Sequence, residues 1–185
     1  TRFEPQYAPG DYFLYFGRLA PEKGVATLLR AVKQAGVKLK IAGTGPEEQS
    51  LHALQAELQA DVEFLGYQSG DTLHQLIKQA RAVVLPSEWY ENAPMSLLES
   101  SAFGKPLIVA DIGGIPEMLI PDQTGWTFTS GNVEALSHLL ATVQALPDDQ
   151  VIEVGKAGRR LVELKFNRAN YIQATQALYA EIKGK

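Results

Sequence analysis

The sequence predicts an α/β domain: a doubly wound, mostly parallel sheet of about six strands with helices on both faces, closed by C-terminal helices. Three observations predict it. From Asp11 onward, short apolar runs alternate with longer stretches of helical period, the signature of successive strand–helix units. Two of the runs, Ala82-Val83-Val84-Leu85 and Leu107-Ile108-Val109-Ala110, are apolar at every position, as parallel strands buried on both faces are. Four of the five loops that follow the first five runs contain Gly, where backbone must turn sharply or approach a neighbour closely.

The strands fall at residues 12–16, 38–42, 62–65, 82–85 and 106–110, with a weaker sixth at 126–128. Helices are expected at 23–35, 47–59, 71–79, 94–103 and 133–146. The first has the stripe of a sheet-facing helix, with Val25, Leu28, Leu29 and Val32 at i, i+3, i+4 and i+7. Two more helical stretches, 149–164 and 167–182, follow with no strand between them. The second carries Tyr171, Ile172, Leu178 and Tyr179, and its apolar face is expected to lie on its own domain, to meet a second copy, or to fray. Residues 1–10, with two prolines, read as a linker-like lead-in, and the chain is expected to be one domain of a longer protein.

Charge narrows the function. Residues 1–149 hold 10 basic and 18 acidic side chains, whereas 150–185 hold 7 and 3. An acidic body argues against nucleic acid, whose binding neutralises many phosphates, but a small anion needs only one or two cations. No cysteine is present, so disulfides, thiolate metal sites and a catalytic thiol are excluded, and a reducing, cytoplasmic setting is expected. No apolar run approaches the roughly 20 residues of a membrane span. His52, His74 and His138 lie far apart without ligand spacing, so no metal is expected.

In a doubly wound sheet, ligands sit beyond the carboxyl ends of the strands. Gly43-Thr44-Gly45-Pro46-Glu47-Glu48 begins like a dinucleotide fingerprint, but Glu48 stands where a small residue is needed and the loop follows the second strand, so a nicotinamide reading fails. The first loop carries Arg18 and Lys23 on either side of Pro21, a planar fork and a mobile point charge that together suit a diphosphate. The strongest signal is Pro86-Ser87-Glu88-Trp89-Tyr90-Glu91-Asn92-Ala93-Pro94-Met95-Ser96-Leu97-Leu98-Glu99. With Pro94 in the first turn of a helix, the amides of Met95, Ser96 and Leu97 become free donors at its positive end. Glu91 precedes that end and Glu99 lies about 7–8 Å inside it at 1.5 Å per residue. Carboxylates accept hydrogen bonds from vicinal hydroxyls, so two of them flanking a phosphate-sized donor site match a nucleotide sugar. Asp111-Ile112-Gly113-Gly114-Ile115-Pro116-Glu117, after the fifth strand, reads as a structural turn explained by its backbone demands.

These residues resemble the carboxyl-terminal, donor-binding domain of the family 4 retaining glycosyltransferases, which have two Rossmann-like domains. The resemblance rests on Phe16-Gly17-Arg18-Leu19 with Glu22-Lys23-Gly24, on Ile41-Ala42-Gly43-Thr44-Gly45-Pro46, on Val62-Glu63-Phe64-Leu65-Gly66-Tyr67, and on Glu91 and Glu99 with seven residues between them. It implies that Arg18 and Lys23 bind the diphosphate and stabilise the departing nucleotide, and that Glu91 holds the transferred sugar. These three form the implied catalytic set. It further implies that Glu99 takes the ribose, that the backbone of Ala93, Pro94, Met95, Ser96 and Leu97 meets phosphate and sugar, that the loops at Gly45, Gly66, Tyr67 and Ser87 surround the base, and that Gly17 also belongs to the donor site. Transfer would be metal-independent and without a cofactor, with configuration retained. The acceptor would lie on an amino-terminal domain that this chain does not include, through which the parent could be peripheral at the cytoplasmic face of a membrane. Where family members often place an aromatic-Gly pair after the first glutamate, this chain has Asn92-Ala93-Pro94, which alters the sugar pocket. Two other readings share the residues: a nucleotide-sugar binding module that transfers nothing, and an epimerase, which the paired glutamates favour less.

Overall fold

The structure, a computed structural model, describes residues 3–183, so residues 1, 2, 184 and 185 of the predicted span lie outside it. Six parallel strands form one sheet: β1 (Phe13–Phe16), β2 (Leu39–Ala42), β3 (Val62–Phe64), β4 (Ala82–Leu85), β5 (Leu107–Ala110) and β6 (Gly125–Phe128). Their order is β3-β2-β1-β4-β5-β6. The weakly marked sixth strand is a full member, in parallel register with β5 from Leu107 opposite Gly125 to Ala110 opposite Phe128.

The helices are α1 (Val25–Ala35), α2 (Glu48–Leu58), α3 (Gly70–Gln79), α4 (Met95–Ala102), α5 (Val133–Ala145), α6 (Asp148–Lys165) and α7 (Arg168–Lys183). Side chains alternate through the sheet, as a strand's two-residue period requires. Phe13, Tyr15, Val84 and Ile108 enter one core with α1 and α5. Leu14, Phe16, Val83 and Val109 enter the other with Ile77 of α3 and Leu97 of α4. The predicted stripe of α1 is fully buried, and each Val or Leu in it contributes about 1.5–3 kcal/mol. This helix begins at Val25 rather than Lys23, because Gly24 turns left-handed at φ 66° between a 3-10 turn, Pro21–Lys23, and the helix proper.

The lead-in is fastened to the domain from Phe3 on. The Gln6 amide donates to the Phe103 carbonyl at 2.9 Å, and Lys105 donates its ammonium to the Ala8 carbonyl at 2.8 Å. The buried guanidinium of Arg159, on α6, reaches the carbonyls of Phe3 and Ala102. By contrast, α7 does not lay its apolar side chains on the domain as one expectation had it: Tyr171, Leu178, Tyr179 and Ile182 are all exposed. Tyr171, Leu178 and Ile182, at i, i+7 and i+11, share one face of the helix, and that face is exposed. Among the described residues no helix is long and apolar enough to cross a membrane.

Candidate functional site

The strand order reverses between β1 and β4, and the loops leaving these two strands part to opposite faces, opening a crevice beyond their carboxyl ends. The loop after β1 carries Arg18 and Lys23, and the loop after β4 carries Ser87 and Glu91. The 3-10 turn, set by Pro21 and ended by Gly24, brings Lys23 back toward the β4 loop. Two further bonds stitch the loops together: the Glu88 amide donates to the Glu22 carbonyl at 2.9 Å, and the Thr27 hydroxyl donates to Glu88 Oε1 at 2.6 Å.

At the centre of this seam the Lys23 ammonium donates to Glu91 Oε1, and the Ser87 hydroxyl donates to the same oxygen at 3.1 Å. Lys23 and Glu91 are partly buried, and Ser87 is wholly so. The Ser130 hydroxyl, from the loop after β6, donates to the Ser87 carbonyl at 2.9 Å. The Gly114 amide, from the loop after β5, donates to the Glu91 carbonyl at 2.8 Å. A Cβ on Gly114 would stand 2.4 Å from the Asn92 carbonyl oxygen, so the Gly-Gly turn is structural, and what it makes room for is the glutamate loop.

Beside the seam, a cleft of about 540 Å³ is lined by Phe16, Gly17, Arg18, Ala42, Gly43, Thr44, Tyr67, Gln68, Ser69, Gly70, Leu73, His74 and Glu99. Its floor depends on Gly43, at φ 158°, where a Cβ would stand 1.8 Å from the Gly17 carbonyl oxygen. The Gly43 amide donates to the Gly66 carbonyl at 2.7 Å, and Gly45 lies against the backbone of Leu19. Arg18 is exposed at the rim, its carbonyl accepting the Tyr15 hydroxyl at 2.8 Å. Burial, followed by the Glu91 and Glu22 carboxylates, raises the Tyr15 phenol above its usual range, so it remains a neutral donor.

The predicted residues therefore gather in two adjoining groups. Gly17, Arg18, Tyr67 and Glu99 face the cleft, while Lys23, Ser87 and Glu91 form the seam, and the β1 loop joins the two. Ser87, which the resemblance sets by the base, turns its hydroxyl to Glu91. Pro94 is the residue that precedes α4, at φ −62° and ψ 122°, rather than part of its first turn. The expected trio of free amides is also reduced. Leu97 donates its amide to the Pro94 carbonyl at 3.1 Å and buries its side chain in the core, which leaves Met95 and Ser96 at the positive end. Ala93 is exposed in the loop before them. The Met95 side chain points elsewhere, into a groove of about 300 Å³ that also meets Phe3, Leu98, Phe166 and Glu99.

Sequence reasoning passed over Thr44, Ser69, His74 and Ser130. Ser69 and Gly70, at the start of α3, follow directly on the predicted Gly66-Tyr67 loop, which was the available signal for this part of the cleft wall. His74 lacks any ligand spacing and has its ring 4.9 Å from that of Phe103. Among the described residues no three His, Cys, Asp or Glu side chains stand together as a metal site would need.

A cationic loop, a fixed carboxylate and a cleft over the reversal of a parallel sheet define a doubly wound α/β domain with its candidate site at the carboxyl edge of the strands. The family model of the group 1 glycosyl transferases matches residues 3–160, and the chain belongs to that family. It is similar to the putative colanic acid biosynthesis glycosyltransferase WcaL of Escherichia coli, with 31% identity over 184 residues, covering 91% of this chain and 45% of the relative. The chain spans about half the length, or less, of curated relatives it matches. In fold it resembles Anabaena HepE, solved in complex with UDP-glucose, with a TM-score of 0.82 and 22% identity over 94% of this chain and 50% of that one. It also resembles the C-terminal domain of the group 1 family protein LpcC from Francisella tularensis, with a TM-score of 0.75 and 18% identity over 90% of this chain and 96% of that one.

Proposed function

We propose that this domain holds a nucleoside diphosphate sugar at the carboxyl edge of its sheet and presents the sugar for transfer to an acceptor bound by an amino-terminal domain of the parent protein. The observation that carries the reading is the seam between the β1 and β4 loops, where Lys23 and Ser87 fix Glu91 beside the cleft that Arg18 and Glu99 line.

In this reading the diphosphate lies between Arg18 and Lys23. The guanidinium offers a fork to two phosphate oxygens, and the ammonium has three donors to divide between phosphate and Glu91. Both cations stand where negative charge grows as the sugar–phosphate bond breaks, which is electrostatic preorganisation at the leaving group. They supply that charge from side chains, which is the basis for reading the transfer as metal-independent and free of any cofactor. Glu91 accepts hydrogen bonds from the sugar hydroxyls and Glu99 from the ribose, while the amides of Met95 and Ser96 meet the phosphate at a helix amino terminus. Retention at the sugar carbon follows from the family 4 resemblance. The acidic body supports the absence of a nucleic-acid partner; the lack of cysteine is compatible with a cytoplasmic setting, and the parent would meet the membrane face through its amino-terminal domain.

Isothermal titration of the chain with uridine, guanosine, adenosine and thymidine diphosphates and their sugar conjugates tests this. Selective binding is expected, weakened by about 1–3 kcal/mol in each of Arg18→Ala and Lys23→Ala. Unchanged affinity in a folded double variant would remove both residues from the site.

A further inference from the structure

Resting on that reading, we infer that Ser87 is a positioning residue, which sets the Glu91 carboxylate for the sugar and is itself set by Ser130. The Glu91 side chain has two partners among the described residues, Lys23 and Ser87, and both meet Oε1. The two differ in freedom. Lys23 ends a flexible four-carbon stem, is only partly buried, and has donors that a diphosphate would draw away. Ser87 has no exposed surface, and its hydroxyl reaches Glu91 from a loop that cannot shift without breaking other bonds. Its carbonyl accepts the Ser130 hydroxyl, and the amide of its neighbour Glu88 is bonded to Glu22. When Lys23 turns toward phosphate, Ser87 keeps Oε1 in place and Oε2 is aimed at the sugar. Four loops thus converge on one residue: Lys23 from β1 and Ser87 from β4 meet the Glu91 carboxylate, Gly114 from β5 meets its backbone carbonyl, and Ser130 from β6 acts through the Ser87 carbonyl.

The test compares the affinity of each nucleotide sugar with that of its parent nucleoside diphosphate, first in the unaltered chain and then in Ser87→Ala and Ser130→Ala. The ratio of the two affinities reads the sugar contact alone. Ser87→Ala is expected to lower the ratio about tenfold, the equivalent of one hydrogen bond to a charged group, because sugar-conjugate affinity falls much further than nucleoside diphosphate affinity. Ser130→Ala should lower it less, because the Ser87 hydroxyl remains. A purely structural role for Ser87 would reduce both affinities together and keep their ratio. Ser87→Thr, which retains the hydroxyl, should recover most of the ratio, and Ser130→Ala carries the test should that bulkier side chain fail to fold at a site with no free surface.

An unchanged ratio in folded Ser87→Ala, with the unaltered chain preferring the sugar conjugate, overturns the positioning role and leaves the proposed function standing. Failure of the unaltered chain to bind any diphosphate or its conjugate overturns both. Diphosphate binding with no preference for the conjugate overturns the Glu91–sugar contact, and the role of Ser87 with it.

Discussion

Lys23 and Lys105 each give their ammonium to one oxygen, and the nature of that oxygen separates a site from a fastening. Lys23 meets the carboxylate of Glu91 at the edge of a cleft, partly open to water. Lys105 meets the carbonyl of Ala8, with no exposed surface at all, and ties the lead-in to the turn between α4 and β5. Burial pulls the Lys105 ammonium down to about 8. A cation kept within reach of solvent and opposed by a movable anion is available to a ligand. One buried on a backbone carbonyl is spent on the fold.

The comparison breaks most visibly if pH is varied. The unfolded chain holds the Lys105 proton up to about 10.5 and the folded chain releases it near 8. Between these values the unfolded state binds more protons, so the contribution of this group to stability rises with pH and is lost as pH falls through 8. Denaturant midpoints of the chain and of Lys105→Met, followed from pH 8 to 10.5, should show the unaltered chain gaining about 2–3 kcal/mol relative to the variant. A constant difference would mean that Lys105 is not buried as described.

A smaller effect sharpens the other half of the comparison. Lys23→Ala should weaken nucleotide binding by about 1–3 kcal/mol, whereas Lys105→Met should leave the affinity within about twofold, as substitutions remote from a site do. The least effect is expected at α7, where Tyr179→Ser should change stability by no more than about 0.5 kcal/mol because the ring is exposed. A larger loss would show that α7 is seated against something.

Much of this was legible in advance because it follows from periodicity. The buried strands β4 and β5, the stripe of α1 and the placement of ligand loops at the carboxyl edge all come from apolar pattern and the logic of parallel sheets. The pairing of the β1 and β4 loops was legible as a juxtaposition of Arg18 and Lys23 with Glu91. Its geometry was not, since the bonds of Ser87 and Ser130 depend on loop paths that no period encodes. Leu97 departs from the expectation because the first turn of α4 closes tightly, its amide bonding back three residues to the Pro94 carbonyl. Lys105 gave no signal either: by type a lysine belongs to the surface, and only the carbonyl of Ala8, 97 positions away in sequence, accounts for its burial. The faint β6 pattern was completed by Gly125, which a strand tolerates here because a Cβ would crowd the Leu107 carbonyl at 2.5 Å.

The most direct test of the central claim is a crystal structure of the chain with whichever nucleotide sugar titrates most tightly. The account predicts phosphate oxygens within hydrogen-bonding distance of both Arg18 and Lys23, with a sugar hydroxyl on Glu91 and the ribose on Glu99. A nucleotide bound with its phosphates away from the β1 loop, or a sugar that leaves Glu91 untouched, would contradict it.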